Sequence, residues 1–173
     1  MSVRNIRLLP LAAVFATAAC GSLPPVPEPD PTASPSAVVA PECPPPGVRI
    51  TADRGDAAAG YREISLHLTN CGSTEYALRG RPEITVLDDK QQPLKVTVGK
   101  SIHYPAEPRR MTLKPGQGTS AVLSWHHIVT SGTVQTGAEL EVAPVKGAPA
   151  QLVKLPEPMD LGTTGKLDTS AWL

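Results

Sequence analysis

Short runs in which apolar and polar residues alternate cover the chain from about residue 48 to its end. The clearest run places Ile64, Leu66 and Leu68 two residues apart, with polar residues between them. Because successive side chains of a strand point to opposite faces, this period of two predicts a half-buried strand. Comparable runs lie at residues 48–52, 84–87, 94–98, 111–113, 121–125, 140–142, 152–155 and 167–172.

Turn-forming residues between these runs predict how the runs connect. Residues 88–93 are polar and end in Pro93, so the runs at 84–87 and 94–98 are predicted to form a hairpin. Pro115 and Gly116 suit the central positions of a type II turn, the second of which needs a positive φ. Asn70 and Gly72 suit a turn at a strand end, where a positive φ is tolerated.

Together the runs predict a single all-β domain over residues 43–173. Seven or eight short strands at spacings of about 8–12 residues are typical of a β-sandwich or a β-barrel. No window of eleven or more residues keeps an apolar stripe of period 3.6 with helix caps, so the pattern requires no helix.

The first nineteen residues have the pattern of a lipoprotein signal peptide. Arg4 and Arg7 precede an apolar stretch over residues 8–19, which is shorter than the roughly 20 residues that span a bilayer. The Thr-Ala-Ala-Cys sequence that ends at Cys20 resembles the bacterial lipobox, although the lipobox usually has Leu where Thr17 stands. The resemblance predicts cleavage before Cys20 and acylation of its thiol. The alternative is ordinary cleavage near residue 19, which leaves Cys20 as a free thiol.

Residues 20–42 are predicted to be a lipidated cysteine and a proline-rich stalk. Ten of the 20 prolines lie between Pro24 and Pro46, where they favour extended polyproline II backbone and prevent a packed core. At about 3.1 Å per residue, the residues between Cys20 and Cys43 reach at most ~70 Å. The stretch is either a semi-rigid spacer or a disordered linker, and both place the domain away from the membrane.

Charge limits the classes of partner. The whole chain has 16 basic and 16 acidic residues, and loss of Arg4 and Arg7 with the signal peptide leaves 14 basic residues against 16 acidic ones. A slightly acidic protein suits neither nucleic acid nor an anionic lipid surface, so no nucleic-acid partner is predicted. The predicted membrane contact is the acylated Cys20, which places the protein on the extracytoplasmic face of the cell membrane.

Two cysteines remain when Cys20 is acylated. Cys43 and Cys71 allow one disulfide, and export to an oxidising compartment favours it. On the chain-entropy model, closing this loop stabilises the fold by about 3–4 kcal/mol. The alternative is a pair of free thiols that bind metal or react.

Six motifs in this order and spacing resemble an exported actinobacterial family known as domain of unknown function 4232. They are LTNCG at 68–72, LRGRP at 78–82, ITVLD at 84–88, LKPG at 113–116, SAVLSW at 120–125 and LEVAP at 140–144. The resemblance covers nearly all of residues 43–173. It implies an immunoglobulin-like antiparallel β-sandwich, a secreted or lipid-anchored protein of the actinobacterial cell envelope, and no enzymatic activity. The sequence departs from the family in its few cysteines and in Arg81, where an aromatic residue is common.

Motifs for catalysis are not found. Gly99-Lys100-Ser101 resembles the end of a phosphate-binding loop, but position 94 is Leu where that loop requires Gly. The chain also has no G-x-S-x-G, H-E-x-x-H or C-x-x-C sequence. The sequence therefore predicts a protein that is not an enzyme and needs no cofactor.

Histidine and methionine give one alternative, an extracytoplasmic copper or zinc carrier. His103 and His126 offer imidazole ligands, and Met111 or Met159 offers the thioether that copper accepts. Against this alternative, His126 and His127 are adjacent in a predicted strand and so point to opposite faces. No metal site is therefore predicted.

Trp125, Trp172 and the arginines are candidate binding residues. Trp125 is in phase with Ala121 and Leu123, which predicts core packing rather than a ligand platform. Trp172 is predicted either to cap the last strand or to project as an exposed anchor. Small basic surfaces are predicted at two places, Arg79 with Arg81 and Arg109 with Arg110, and each is interpreted as a solvated face.

The sequence as a whole predicts a membrane-anchored extracytoplasmic lipoprotein with a non-enzymatic β-sandwich that binds an unidentified ligand. The partner would be a protein or a glycan of the cell envelope. A structural component of the envelope without a soluble ligand is a further alternative.

Overall fold

The computed structural model of the protein describes residues 42–173, and this part of the chain is all β. It contains eleven strands and no helix, which confirms the predicted fold class. In this part of the chain there is no helix that is long and apolar enough to cross a membrane. The strands are β1 (Val48–Ala52), β2 (Asp56–Ala58), β3 (Tyr61–Asn70), β4 (Tyr76–Leu78), β5 (Glu83–Leu87), β6 (Thr97–Lys100), β7 (Met111–Leu113), β8 (Gly118–His126), β9 (Gln135–Ala143), β10 (Gln151–Gly162) and β11 (Lys166–Thr169).

The largest sheet has six strands, in the order β1-β3-β8-β11-β6, with β2 also paired to β3. Its centre is the antiparallel pair of β3 and β8, in which Ile64 lies opposite Leu123 and Leu66 lies opposite Ala121. The predicted alternation is observed, because Ile64, Leu66 and Leu68 are all buried. Strands β6 and β1 form the two edges of this sheet.

Two smaller sheets complete the fold. One has the order β10-β9-β5 and is antiparallel throughout, and the other is the short pair of β4 and β7. Leu66 and Leu123 of the large sheet and Leu140 and Val142 of β9 belong to one hydrophobic core and are fully buried. Full burial of such side chains stabilises a fold by about 1.5–3 kcal/mol each. The arrangement is that of a β-sandwich, in which two inner faces share one core.

The predicted hairpin between residues 84–87 and 94–98 is wrong beyond its first residues. Leu87 forms a single bridge with Pro93, and the Leu94 amide donates to the Val86 carbonyl at 2.8 Å. The chain then crosses to the large sheet, where β6 pairs in parallel with β11. The alternation of residues 94–98 marks an extended chain but does not identify its partner, which lies far along the sequence.

The structure corrects two other predictions. The sheets are not wholly antiparallel, because the β6–β11 pair is parallel. The number of strands is eleven rather than seven or eight. The excess includes β2 and β4, which have three residues each and are too short to show a period of two.

The predicted turn at Pro115 is confirmed. Gly116 has a φ of +80°, and the Gln117 amide donates to the Lys114 carbonyl at 2.9 Å, as a type II turn requires. Asn70 differs from the prediction, because it is a strand residue that is not among the described residues of positive φ. Its side chain organises the turn instead.

The Asn70 side chain makes three hydrogen bonds although it is almost fully buried. Its Nδ2 donates to the carbonyls of Thr74 and Leu113 at 2.8 Å each, and its Oδ1 accepts from the Gly72 amide at 3.0 Å. Buried amides of this kind stabilise a fold because all their hydrogen-bonding groups are satisfied. Asn70 therefore joins the end of β3 to the end of β7.

A disulfide joins Cys43 to Cys71, with their α-carbons 5.5 Å apart. It links the segment before β1 to the residue that follows β3, next to the pairing of Val48 with Asn70. Of the two alternatives drawn from the sequence, the disulfide rather than a pair of free thiols is therefore present.

Both tryptophans are buried, and each has a partner for its indole N–H. Trp125 Nε1 donates to the Asp160 carbonyl at 3.1 Å, which confirms core packing. Trp172 is 2 % exposed, and its Nε1 donates to the Pro144 carbonyl at 2.6 Å. Trp172 therefore closes one end of the core and is not an exposed anchor.

Candidate functional site

A groove of about 950 Å³ lies where the two main sheets end side by side. One wall is β6, the edge strand of the large sheet, and the other is the start of β5, the edge strand of the three-stranded sheet. The segment before β5 and the segment after β9 complete it. This position follows from the crossing after β5, which separates β5 and β6 into different sheets instead of pairing them.

The floor of the groove is apolar and its rim is charged. The apolar lining comes from six side chains: Pro82, Ile84, Val96, Val98, Pro108 and Val145. The charged lining consists of four cations, Arg79, Arg81, Lys100 and Lys146, and two carboxylates, Glu83 and Glu107. An apolar floor with a few converging charged groups is typical of a binding site.

Arg81 is the most buried cation of the groove, with only 15 % of its side chain exposed. Its Nη2 donates to the Ala106 carbonyl at 3.2 Å and lies 3.8 Å from Glu107 Oε2. Its Nη1 is buried and donates to no acceptor in the described part of the chain. Because an unsatisfied buried donor is costly, this guanidinium retains hydrogen-bonding capacity for an oxyanion.

Glu107 neutralises part of the cationic rim. Its Oε2 faces Arg81, and its Oε1 lies 3.7 Å from Lys100 Nζ. Both Glu107 and Lys100 are largely exposed, so their attraction is screened by solvent. In residues 42–173, Arg79 and Lys146 have no carboxylate within ion-pairing distance.

Gly80 sets the shape of this end of the groove. Its φ is +155°, and a β-carbon at this position would lie 2.8 Å from Val145 Cγ1. Its carbonyl accepts the Trp172 amide at 3.4 Å. The chain bends at Gly80, and this bend places Arg79 and Arg81 on the groove.

The sequence identified part of this site. Arg79 and Arg81 were predicted to share a basic surface, and they do, but the surface is a groove wall rather than an isolated solvated face. Arg109 and Arg110 lie in a separate, smaller cleft. Lys100 and Lys146 were missed, because they are distant in sequence and no motif links them to the arginines.

A second cluster of polar and aromatic residues surrounds Glu63 on the large sheet. Tyr61 Oη donates to Glu63 Oε2 at 3.2 Å, and Tyr104 Oη donates to the same oxygen at 3.1 Å. The rings of His103 and His126 pack edge-on against Tyr61, with centroid distances of 5.0 and 5.3 Å. Edge-on packing of this kind stabilises aromatic pairs by about 0.5–1.5 kcal/mol.

Burial and Glu63 raise the pKa values of two tyrosines in this cluster. Desolvation is the larger cause for both Tyr61 and Tyr104, and the hydrogen bond to Glu63 adds to it. The pKa of Tyr76 is raised by burial alone. The neutral phenols of Tyr61 and Tyr104 donate the hydrogen bonds to Glu63, and their raised pKa values extend this neutral form to higher pH.

The structure does not assemble the metal ligands considered above. His103 and His126 meet at Tyr61, but Met111 lies beside Thr119 at the opposite end of β8, roughly 20 Å of strand away. Met159 is buried in the core. Within residues 42–173, no group of three or more His, Cys, Asp or Glu side chains is placed to hold a metal ion.

His127 has partners different from those of its neighbour. Its Nδ1 lies 3.1 Å from the Asp160 carbonyl oxygen and 3.4 Å from Asp160 Oδ2. The same carboxylate lies 3.4 Å from Arg62 Nη2. His126 and His127 therefore contact different groups, as adjacent strand residues are expected to do.

Cys20, the predicted lipidation site, lies outside the described residues, as do the predicted signal peptide (residues 1–19) and most of the predicted stalk.

In comparisons with known proteins, the chain matches one family model. The model of the family described as "Domain of unknown function (DUF4232)" matches residues 43–173. No curated protein matches the chain. Two solved structures of a β-glucosidase from Kluyveromyces marxianus, one in complex with glucose, align with 65 % of this chain and 14 % of theirs, at 11 and 10 % identity and TM-scores of 0.32 and 0.30. The chain thus spans about one seventh of the length of those enzymes.

Proposed function

The chain belongs to the family described as domain of unknown function DUF4232, and from that premise we propose that it is a lipid-anchored extracytoplasmic protein whose β-sandwich is a non-enzymatic binding domain. The groove between β5 and β6 is its binding surface. The partner is a component of the cell envelope that reaches a domain held at the membrane by Cys20.

The observation that carries the binding role is the groove itself. It combines an apolar floor, which gains free energy when water is displaced, with four cations that orient a charged partner. Its lining contains arginine, lysine, glutamate, threonine, glycine and apolar residues. This composition suits recognition.

The anchor is supported by the sequence around Cys20 and by the disulfide. Small residues precede Cys20 directly after an apolar stretch, as in lipoprotein signal peptides. The disulfide of Cys43 and Cys71 is of the kind that forms and persists in oxidising compartments outside the cytoplasm. Both observations favour an exported domain.

Intact mass spectrometry of the chain purified from membranes tests the anchor. We expect the mass of a chain that begins at Cys20 and carries acyl groups, because these apolar groups hold the protein to the bilayer. Cys20→Ser should move the protein from the membrane fraction to the soluble fraction. A native chain with an unmodified Cys20 thiol would contradict the proposal.

Site-specific photo-crosslinking in intact cells tests the groove. A crosslinking residue at Val98, which is 37 % exposed on the groove, should give a defined product with an envelope component. The matched control is Leu152, which is 49 % exposed and does not line the groove. Arg79→Glu should remove the Val98 product.

Two results would contradict the binding role. Equal crosslinking from Val98 and Leu152, insensitive to Arg79→Glu, would favour a structural envelope component that packs on many faces. No product from Val98 would show that the groove is unoccupied in the cell.

A further inference from the structure

We propose that the groove binds an extended acidic peptide segment, which adds to β6 as a new strand and places carboxylates against the groove cations. The inference rests on the proposed function and names the class of partner that the groove accepts. Strand addition of this kind draws affinity from backbone hydrogen bonds and specificity from alternate side chains.

Strand β6 offers a free backbone edge. On one side, the Thr97 amide donates to the Gly165 carbonyl at 2.8 Å and the Ser101 amide donates to the Thr169 carbonyl at 2.9 Å. Because backbone groups alternate in direction along a strand, the amides and carbonyls of Val98 and Lys100 point away from β11. In the described part of the chain, no other strand pairs with this side of β6.

The pairing register shows which side chains an added strand would meet. Val98 is aligned with Leu167 and Lys100 with Thr169, and both of these β11 residues are buried. Aligned residues of neighbouring strands lie on the same face of the sheet, so Val98 and Lys100 lie on the inner face. Inner-face side chains of an added strand would therefore enter the groove.

The opposite wall of the groove supplies further positive charge. Arg79 and Arg81 come from the segment between β4 and β5, and Lys146 comes from the segment after β9. Together with Lys100 they outnumber the two carboxylates of the groove. A strand with alternate Glu or Asp side chains matches this arrangement, since its carboxylates repeat on one face.

Glu107 already occupies part of the site that such carboxylates would use. It contacts both Arg81 and Lys100 from an exposed loop. An acidic peptide must therefore compete with an internal carboxylate. The two kinds of substitution should therefore have opposite effects: removal of Glu107 should strengthen binding of the acidic peptide, whereas removal of Arg81 or Lys100 should weaken it.

A second copy of the chain fits the edge less well. Lys100 is the last residue of β6 and Lys95 lies two residues before the strand, which carries no carboxylate. Pairing of two such edges would bring like charges together, and lysine on an edge strand is a known guard against such pairing. The same lysines attract an acidic strand.

Hydrogen exchange with a synthetic probe tests the proposal. The probe is a nine-residue peptide that alternates Glu with Val or Thr, and its control has Gln in place of Glu. Added to the purified full chain, the acidic peptide should slow exchange at the amides of Val98 and Lys100. The amides of Thr97 and Gly99 face β11 and should change little. The Gln control should bind at least about ten-fold more weakly than the acidic peptide.

Variants separate the groove from general charge effects. Lys100→Glu should lower the affinity for the acidic peptide by about ten-fold. Lys114→Glu is an equal change of charge in the exposed turn before β8, and it should change this affinity by less than about two-fold. Glu107→Gln should tighten binding by about three-fold. Near-UV spectra of each variant should match the parent chain, which shows that the fold is kept.

The outcomes are distinct. Binding without slower exchange at Val98 and Lys100 would overturn strand addition, and equal effects of Lys100→Glu and Lys114→Glu would overturn the groove as the site. If the peptide does not bind while the Val98 crosslink in cells still depends on Arg79, the acidic-peptide inference fails and the proposed function stands. A uronic-acid oligomer that competes without protecting these amides would indicate an anionic glycan and would overturn the inference.

Discussion

Gly55 and Gly116 both have positive φ angles, of +75° and +80°, but they differ in the space around the α-carbon. A β-carbon on Gly55 would overlap the Glu63 carbonyl oxygen and Ile64 Cγ2, whereas one on Gly116 would meet nothing within 4 Å. We expect Gly116→Ala to lower the free energy of unfolding by about 1–2 kcal/mol, the cost of the left-handed backbone alone.

Gly55→Ala should lower the free energy of unfolding by about 1–3 kcal/mol more than Gly116→Ala does, because the backbone and the core must also move. Urea denaturation of both variants measures the difference. Equal losses would show that the β1–β2 connection relaxes freely around the added methyl group.

Glu63 links two tyrosines to the pH dependence of stability. The folded pKa values of Tyr61 and Tyr104 are raised above the ordinary value of 10.0, first by burial and then by Glu63. The folded state therefore holds these protons more tightly than the unfolded state does. The free energy of unfolding should fall as the pH rises above 10 and through the folded pKa values.

Glu63→Gln should lower the pKa of both tyrosines and reduce this fall, because it removes the negative charge beside them. Tyrosinate absorbance measured against pH reports the change. Tyr76 is the internal control, since burial alone raises its pKa. A titration curve unaltered by the substitution would contradict the role of Glu63.

The disulfide acts at the scale of elements, because it joins the segment before β1 to the residue after β3 across 28 positions of sequence. On the chain-entropy model, a loop of this length stabilises the fold by about 3–4 kcal/mol. Cys43→Ser combined with Cys71→Ser should lower the free energy of unfolding by that amount. Denaturation with and without reductant measures it.

Two controls define the result. Cys20→Ser should leave the stability of residues 43–173 unchanged, and reductant should have no effect on the double variant. A loss below about 1 kcal/mol would mean that the β1–β3 pairing, with Gly72 and Cys71 donating to the Gly47 carbonyl, keeps these segments together even in the unfolded ensemble.

Edge formation also belongs to this scale. The runs at 84–87 and 94–98 have the composition of a hairpin, but only one bridge, between Leu87 and Pro93, forms. The chain instead places β6 beside β11, which comes much later in the sequence. A period of two identifies an extended segment and its buried face, but partner choice depends on long-range packing.

Trp172 acts at the scale of the whole molecule, because it joins the end of the large sheet, just after β11, to the segments that precede β5 and follow β9 of the three-stranded sheet. Its amide donates to Gly80 and its indole donates to Pro144, while the side chain is almost fully buried. Trp172→Ala should therefore lower the free energy of unfolding by about 3–5 kcal/mol. Leu173→Ala is the matched control, since Leu173 is 45 % exposed and should cost less than about 1 kcal/mol.

Trp125 provides the measurement for both variants. It is the only other tryptophan in the chain and is buried against Asp160, so its fluorescence follows unfolding in urea. Similar stability of the two variants would show that the closing end contributes little. Trp172 contacts Gly80, which lines the groove, so Trp172→Ala should also weaken binding of the acidic peptide.

The candidate site could be predicted only in part. Arg79 and Arg81 are two residues apart, and their shared surface follows from that spacing. Lys100 and Lys146 reach the same groove through β6 and the end of β9, which are separate in sequence. Likewise, the proximity of His103 and His126 depends on where the segment after β6 meets β8.

The sequence by itself determined the all-β class, the buried faces of most strands, the type II turn at Pro115 and the pairing available to Cys43 and Cys71. Each of these follows from local stereochemistry or from the identity of a few residues. Only the tertiary structure decided that β5 and β6 separate into two sheets, which leaves a free edge beside a cationic groove. That outcome depends on contacts between residues far apart in the chain, where packing free energy outweighs any local pattern.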